Sequence, residues 1–329
     1  MALSTLLARS ARRTSAASVA CLIIAMEGCG GEVVNLGASP LEAGGSAGSV
    51  GSAPGGAPPH IWQLSSEPLI AQVDGILLAN PTLTGAMNEL FYSQQQQQGA
   101  NPDPYPTLIW HASLVNGQWS DLVRLTFADV GVLDAVSPAV SLDGNELWLG
   151  MNSGSSTDIY STMLQGGVWT KPEPVTALNS AFDDVPRPPG QGGTVMPLSS
   201  KRHGGPKPLY QIYLSKRDSS GAWGEPSQVL LGNVNSPSDE FQSADGFLTD
   251  DGRELYFSSK RDGDSDLYVA RRAGANDVFG VPEPLADLND PNRTASEERM
   301  PWLSPDGKQL YFASDRSGQY TLYVANKLR

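Results

Sequence analysis

Short runs of alternating apolar and polar side chains, separated by turns rich in Gly, Pro, Asp and Ser, occupy most of the chain. The clearest stretch is Pro301 to Asn326, PWLSPDGKQLYFASDRSGQYTLYVAN. It holds two alternating runs, Gln309 to Ala313 and Tyr320 to Ala325. A Pro305-Asp306-Gly307 turn precedes the first run, and Ser314-Asp315-Arg316-Ser317-Gly318 joins the two. Side chains of a strand point alternately to opposite faces, so this period predicts strands between tight turns.

Earlier stretches copy this unit. Turn-then-strand segments recur at residues 83–92, 141–148, 193–200, 249–257 and 304–312. Their spacing of roughly 50–60 residues lies near the kelch period and above that of WD40 repeats. Each is followed by a second run: Leu108 to Ala112, Ile159 to Thr162, Gln211 to Ser215, Leu267 to Ala270 and Leu322 to Ala325. A third element carries an aromatic residue, often followed by Pro. It begins at Trp119, Trp169, Trp223 and Phe279. The last copy lacks this element, and a spare one, Ile61 to Leu69, precedes the first copy. An N-terminal strand that completes the C-terminal sheet closes a ring and protects its edges. The count predicts an all-β, five-bladed propeller; the alternative is six blades, with an extra one within residues 170–215. Two insertions interrupt the pattern. Residues 94–106, polar and with a five-Gln run, predict a mobile loop. Residues 187–208, rich in Gly and Pro, degrade the innermost strand of the third blade.

Composition agrees with many short strands: 35 Gly, 25 Pro and 17% charged residues in 329. The formal charge is −13. Residues 1–28 carry Arg9, Arg12, Arg13 and one acid, Glu27, so the remainder holds 19 basic and 34 acidic residues, a net of −15. Such a surface repels nucleic acid phosphates and anionic membranes, and favours a basic partner, a cation or a neutral ligand.

The first residues read as an export address. The three arginines form a positive start, an apolar run from Ala16 to Met26 follows, and Gly28-Cys29 comes next. The run is too short to span a bilayer, which takes about 20 apolar residues. Ala25 to Cys29 resembles a bacterial lipobox, in which the lipid-modified Cys becomes the first mature residue. Glu27 and Met26 depart from that pattern. Cleavage there leaves a single cysteine, and acylation of Cys29 accounts for it. Residues 29–59, mostly Gly, Ala, Ser and Pro, cannot offset their ordering entropy by burial and form a flexible tether. Domains are therefore expected at 1–28 (signal), 29–59 (tether) and 60–329 (propeller). Gly30 after the Cys, in the lipoprotein pattern, implies the outer membrane, on its periplasmic or surface face.

Ser-Pro-Asp-Gly-x-x-Leu-Tyr-Phe-x-Ser-x-Arg-x-Gly, followed by Leu-Tyr-Val, resembles the WD40-like repeat of TolB-type periplasmic propellers. Residues 304–325 match it closely, residues 249–270 nearly so, and residues 141–162 more loosely. The resemblance implies a monomeric docking platform that binds a protein or peptide at the cell envelope without catalysis. The alternative is a glycan binder or a five-bladed glycosidase that uses channel carboxylates as acid and base or nucleophile.

Acidic residues recur just before the innermost strands: Asp134, Asp183 with Asp184, Asp239 with Glu240, and Glu297 with Glu298. In a propeller these positions surround the mouth of the channel, so they are the candidate ring for a cation or a basic segment. Acidic residues also suit turns that enter strands. No cofactor is expected. Asp262, Asp264 and Asp266 alternate in one turn and offer oxygen ligands for calcium, but the Gly and Glu placements of an EF-hand loop are missing. His60 lies at the end of the tether, which leaves His111 and His203, and no nucleophile elbow, zinc spacing or phosphate loop accompanies them.

Overall fold

The structure is a computed structural model that describes residues 62–97, 106–205, 208–237, 240–290 and 296–328. The expected signal, Cys29, the tether, His60 and Asp239 lie outside these residues. The chain opens with β1 (Trp62–Leu64) and then builds five antiparallel sheets around one axis. Blade 1 is β2 (Ile76–Leu83), β3 (Glu89–Gln96), β4 (Thr107–Val115) and β5 (Gln118–Arg124). Blade 2 is β6 (Ala135–Val140), β7 (Glu146–Asn152), β8 (Thr157–Gln165), β9 (Val168–Trp169) and β10 (Glu173–Pro174). Blade 3 is β11 (Asp184–Pro186), β12 (Val195–Ser200) and β13 (Gln211–Lys216). Blade 4 is β14 (Ser243–Leu248), β15 (Glu254–Ser259), β16 (Asp266–Arg271) and β17 (Glu283–Pro284). Blade 5 is β18 (Glu298–Leu303), β19 (Gln309–Ser314) and β20 (Thr321–Lys327), completed by β1.

Closure is as the repeat count predicts. Trp62 pairs with Lys327 and Leu64 with Ala325, so the first strand covers the free edge of the last blade. Residues 170–215 hold the end of blade 2, a 3-10 turn at Thr176–Leu178 and the strands of blade 3, which excludes the six-bladed alternative. The expected loop at 94–106 starts later than the sequence suggests. Gln94, Gln95 and Gln96 extend β3 and pair with Leu78, Leu77 and Ile76; the neighbouring strand supplies ladder partners that override the polar composition.

The innermost strands β2, β6, β11, β14 and β18 line the axis. Four of them bulge at the same point, with left-handed backbone at Asn80 (φ 54°), Ser137 (50°), Asp245 (61°) and Met300 (60°). A bulge re-aims side chains and increases local twist, here toward the channel. Blade 3 differs for a reason visible in its composition. Pro186, Pro188 and Pro189 lack N–H groups, so the inner strand stops after three residues. Gly190 follows where the chain passes blade 4: a Cβ there would lie 2.2 Å from the Leu248 carbonyl oxygen.

Neighbouring blades meet through aromatic side chains. Trp148 of blade 2 meets Trp223 of blade 3 edge-on at 6.1 Å between centroids, and Phe247 of blade 4 meets Trp302 of blade 5 at 5.8 Å. Such pairs contribute about 0.5–1.5 kcal/mol beyond their burial.

Candidate functional site

The inner strands all run the same way, so their first residues define one face of the channel, the inlet, and their last residues define the other, the outlet. Every described member of the expected acidic set lies near the inlet, ahead of or at the start of β6, β11, β14 and β18. Asp134 accepts the Thr107 N–H at 2.9 Å. Asp183 lies 2.8 Å from Lys201 Nζ and accepts the Thr157 N–H and the Tyr210 hydroxyl. Asp184, fully buried, pairs with Arg202 at 2.7 Å. Glu297 pairs with Lys260 at 2.5 Å and accepts the Tyr320 hydroxyl. Glu298, fully buried, lies 3.1 Å from Arg316 and accepts the Ser314 hydroxyl. Glu240 is exposed, and its N–H donates to Ser236 Oγ.

The charge of this ring is thus largely matched from within. Burial pushes Asp183 up, but hydrogen bonds from Lys201 and Thr157 outweigh it and leave the carboxyl below its usual range. Burial of Glu297 is likewise outweighed, by the charge of Arg299 and hydrogen bonds from Lys260 and Tyr320. Burial prevails at Glu298 and Asp134, which are raised.

The cations belong to turns between the second and third strands of blades 3, 4 and 5, and they form a repeated clasp that sequence reasoning did not assemble. Arg202, Arg261 and Arg316 each donate Nε to a serine two residues earlier, at 3.0, 3.2 and 3.0 Å. Their Nη2 atoms reach back to the carbonyls of Leu178, Val234 and Leu288 at 2.6, 2.7 and 2.5 Å. Their planes lie over Tyr213, Tyr268 and Tyr323 at 5.1, 4.9 and 5.3 Å. The residue after each of those carbonyls is Asn. Asn179, Asn235 and Asn289 accept the N–H of Ile159, Ile212 and Leu267 and return their amides to the same residues' carbonyls. A recurring Leu/Val-Asn dipeptide and an 18-residue step from acid to cation, as in Asp184 to Arg202, were the available signals.

The centre of the channel is polar and closed. Asp245 Oδ2 lies 3.2 Å from Arg299 Nη2 and accepts the Ser258 hydroxyl at 2.7 Å. On the other side, Ser137 Oγ donates to Asn80 Oδ1 at 3.0 Å, and Ser93 Oγ accepts the Ser137 N–H at 3.1 Å. Arg187, from the proline-broken strand, donates Nη2 to the Pro301 carbonyl at 2.7 Å.

The outlet is open. A recess of about 400 Å³ lies among the turns that follow β6, β11, β14 and β18. Leu142, Pro188, Pro189, Phe247, Leu248 and Leu303 give it apolar walls. Asp250, Asp251, Glu254 and Asp306 supply carboxylates to its lining. Asp306 is held below the usual carboxylate range by the Ser304 hydroxyl and the Lys308 N–H, so it stays ionised at neutral pH. Asp250 is exposed and accepts the Gly192 N–H at 2.8 Å.

Other candidates are placed as follows. His111 contacts the Glu89 carboxylate across β4 and β3, and its ring lies 4.9 Å from that of Phe91. Asp262 accepts the Tyr268 hydroxyl, and burial together with Asp264, Glu298 and Asp262 pushes Asp266 up to about 6. Among the described residues, no group of three or more His, Cys, Asp or Glu side chains is arranged to hold a metal ion.

No family model matches the chain, and no curated protein matches it. Solved structures do. A thermostable family-43 glycoside hydrolase is 12% identical, with a TM-score of 0.51 over 76% of this chain and 88% of that one. Another glycoside hydrolase is 11% identical, with a TM-score of 0.55 over 78% of this chain and 89% of that one. TolB from Acinetobacter baumannii is 15% identical, with a TM-score of 0.46; the match spans 78% of this chain and 56% of that one. At these identities the likeness is one of fold alone, and the two hydrolase matches carry it: a β-propeller.

Proposed function

We propose that this protein is an exported lipoprotein, held at the outer membrane through Cys29, whose propeller docks a segment of another envelope protein without catalysis. The occupant carries basic side chains beside apolar ones. The observation that supports this reading best is the outlet recess, which combines apolar walls with an acidic lining. Apolar contacts supply most of the affinity in such a site, and the carboxylates set orientation and reject acidic partners. The inlet acids fit this role less well, because their carboxylates already hold Lys201, Arg202, Lys260 and Arg316.

Glycoside hydrolysis needs two carboxyl groups about 5–9.5 Å apart on either side of the bond. Asp245, at the channel centre, is 1% exposed and tied to Arg299 and Ser258, which weighs against that use. Selection of peptides on the protein from a random display library tests the docking reading. Enriched sequences should combine Lys or Arg with apolar residues and lose binding to Asp250→Lys, while Glu173→Lys, on the outer edge of blade 2, leaves them bound. Enrichment of acidic sequences, or equal binding to both variants, contradicts it.

A further inference from the structure

At the centre of the channel two guanidiniums, Arg187 and Arg299, share the charge of one carboxylate, Asp245. Lys201 is matched by Asp183 at 2.8 Å, Lys260 by Glu297 at 2.5 Å and Arg299 by Asp245 at 3.2 Å. Arg187 remains. It is 1% exposed, and among the described residues its Nη2 donates to the neutral carbonyl of Pro301. Its Nε and Nη1 atoms are buried without a partner among the described residues.

We infer that a single small monovalent anion sits against the free edge of the Arg187 guanidinium and completes the channel core. A buried cation without a counter-charge is strongly unfavourable, and water can satisfy its N–H groups but not its charge. Deprotonation does not relieve it. Burial lowers its pKa to about 10, against the pull of Asp245, so the group stays cationic at neutral pH. One excess charge calls for a monovalent anion. Arg187, Arg299 and Asp245 are each 1% exposed, so the ion must be small. A halide or a carboxylate the size of formate meets both conditions. The site arises where Pro186, Pro188 and Pro189 end the inner strand of blade 3 early and leave the Arg187 side chain to fill the channel in its place. It is separate from the outlet recess and stands whether or not that recess docks a peptide.

The test is the thermal transition of the full chain in gluconate buffer at constant ionic strength, with chloride or formate replacing part of the gluconate. Ligand linkage raises the transition by a few degrees once the anion is about a hundredfold above its dissociation constant, then continues only logarithmically. The ion giving the larger rise at equal concentration is the preferred one. Arg187→Met keeps the side-chain volume and should abolish the response. Crystals grown with bromide supply a second readout that needs no variant: an anomalous peak within hydrogen-bond reach of Arg187 Nε or Nη1. Transitions indifferent to the anion, an equal response in Arg187→Met, or a bromide map with no peak at Arg187 each overturn the inference.

Discussion

Asp245 and Arg299 join blades 4 and 5 across the channel axis, with Oδ2 3.2 Å from Nη2 and 3.3 Å from Nε, and neither side chain is more than 2% exposed. Both sit at or beside the bulges of their strands, which aim them at each other. Removing one partner of a buried pair strands the other charge, at a cost of about 3–5 kcal/mol. Asp245→Asn should therefore lower unfolding free energy in urea by that order, because Arg299 then loses its buried carboxylate partner. The double variant Asp245→Asn with Arg299→Met should recover part of the loss. A double variant no more stable than Asp245→Asn contradicts this pairing.

The arginine clasp sets a second expectation. Arg202 donates to Ser200, to the Leu178 carbonyl and to Asp184 from one planar group. A lysine ammonium keeps the charge but cannot span three acceptors in that plane. Arg202→Lys should cost about 1.5–3 kcal/mol, the range for lost hydrogen bonds to charged groups. Equal midpoints for Arg202→Lys and the parent in denaturant melts would show that charge alone holds the clasp.

Gly190 is required by proximity rather than by backbone angle. An added methyl would meet the Leu248 carbonyl at 2.2 Å, and backbone cannot step aside as a flexible side chain does. Gly190→Ala should destabilise the protein by about 1–3 kcal/mol, as overpacking does. Hydrogen exchange should localise the loosening to β12 and β14. Unchanged protection in both strands would refute the close approach.

Asp266 gives a pH dependence of definite sign. Its folded pKa is raised to about 6 from 3.8 by burial and by Asp264, Glu298 and Asp262. Folding stability from this group is complete below about pH 4 and declines as pH rises through 6, because the folded state then has to carry the charge. Asp266→Asn should stabilise the protein at pH 7 and flatten this part of the pH profile. The comparison of urea midpoints at pH 4 and pH 7 checks it. A variant that loses stability at pH 7 would show that the charge is instead favoured there.

Much of the fold was legible because period-two alternation, turn chemistry and a fixed repeat all act locally. The spare element at Trp62 was enough to predict closure onto β20. The interior of the channel was not legible. Arg187, Asp245 and Arg299 come from three blades, and the pattern along each strand says which face a residue takes but not which distant residue it meets. The acids at 183, 184, 297 and 298 were visible as a recurring set. Their union with the cations of neighbouring turns was missed because each acid looked complete as part of a turn. The outlet recess was hidden for the same reason: it is made by four separate turns whose sequences read as connections.

The most direct test of the docking account is affinity capture from envelope extracts with the parent chain, Asp250→Lys and Glu173→Lys as baits. The account predicts a specific protein recovered by the parent and by Glu173→Lys, released as salt rises, and lost from Asp250→Lys. Recovery of the same protein by all three baits would contradict docking at the outlet recess.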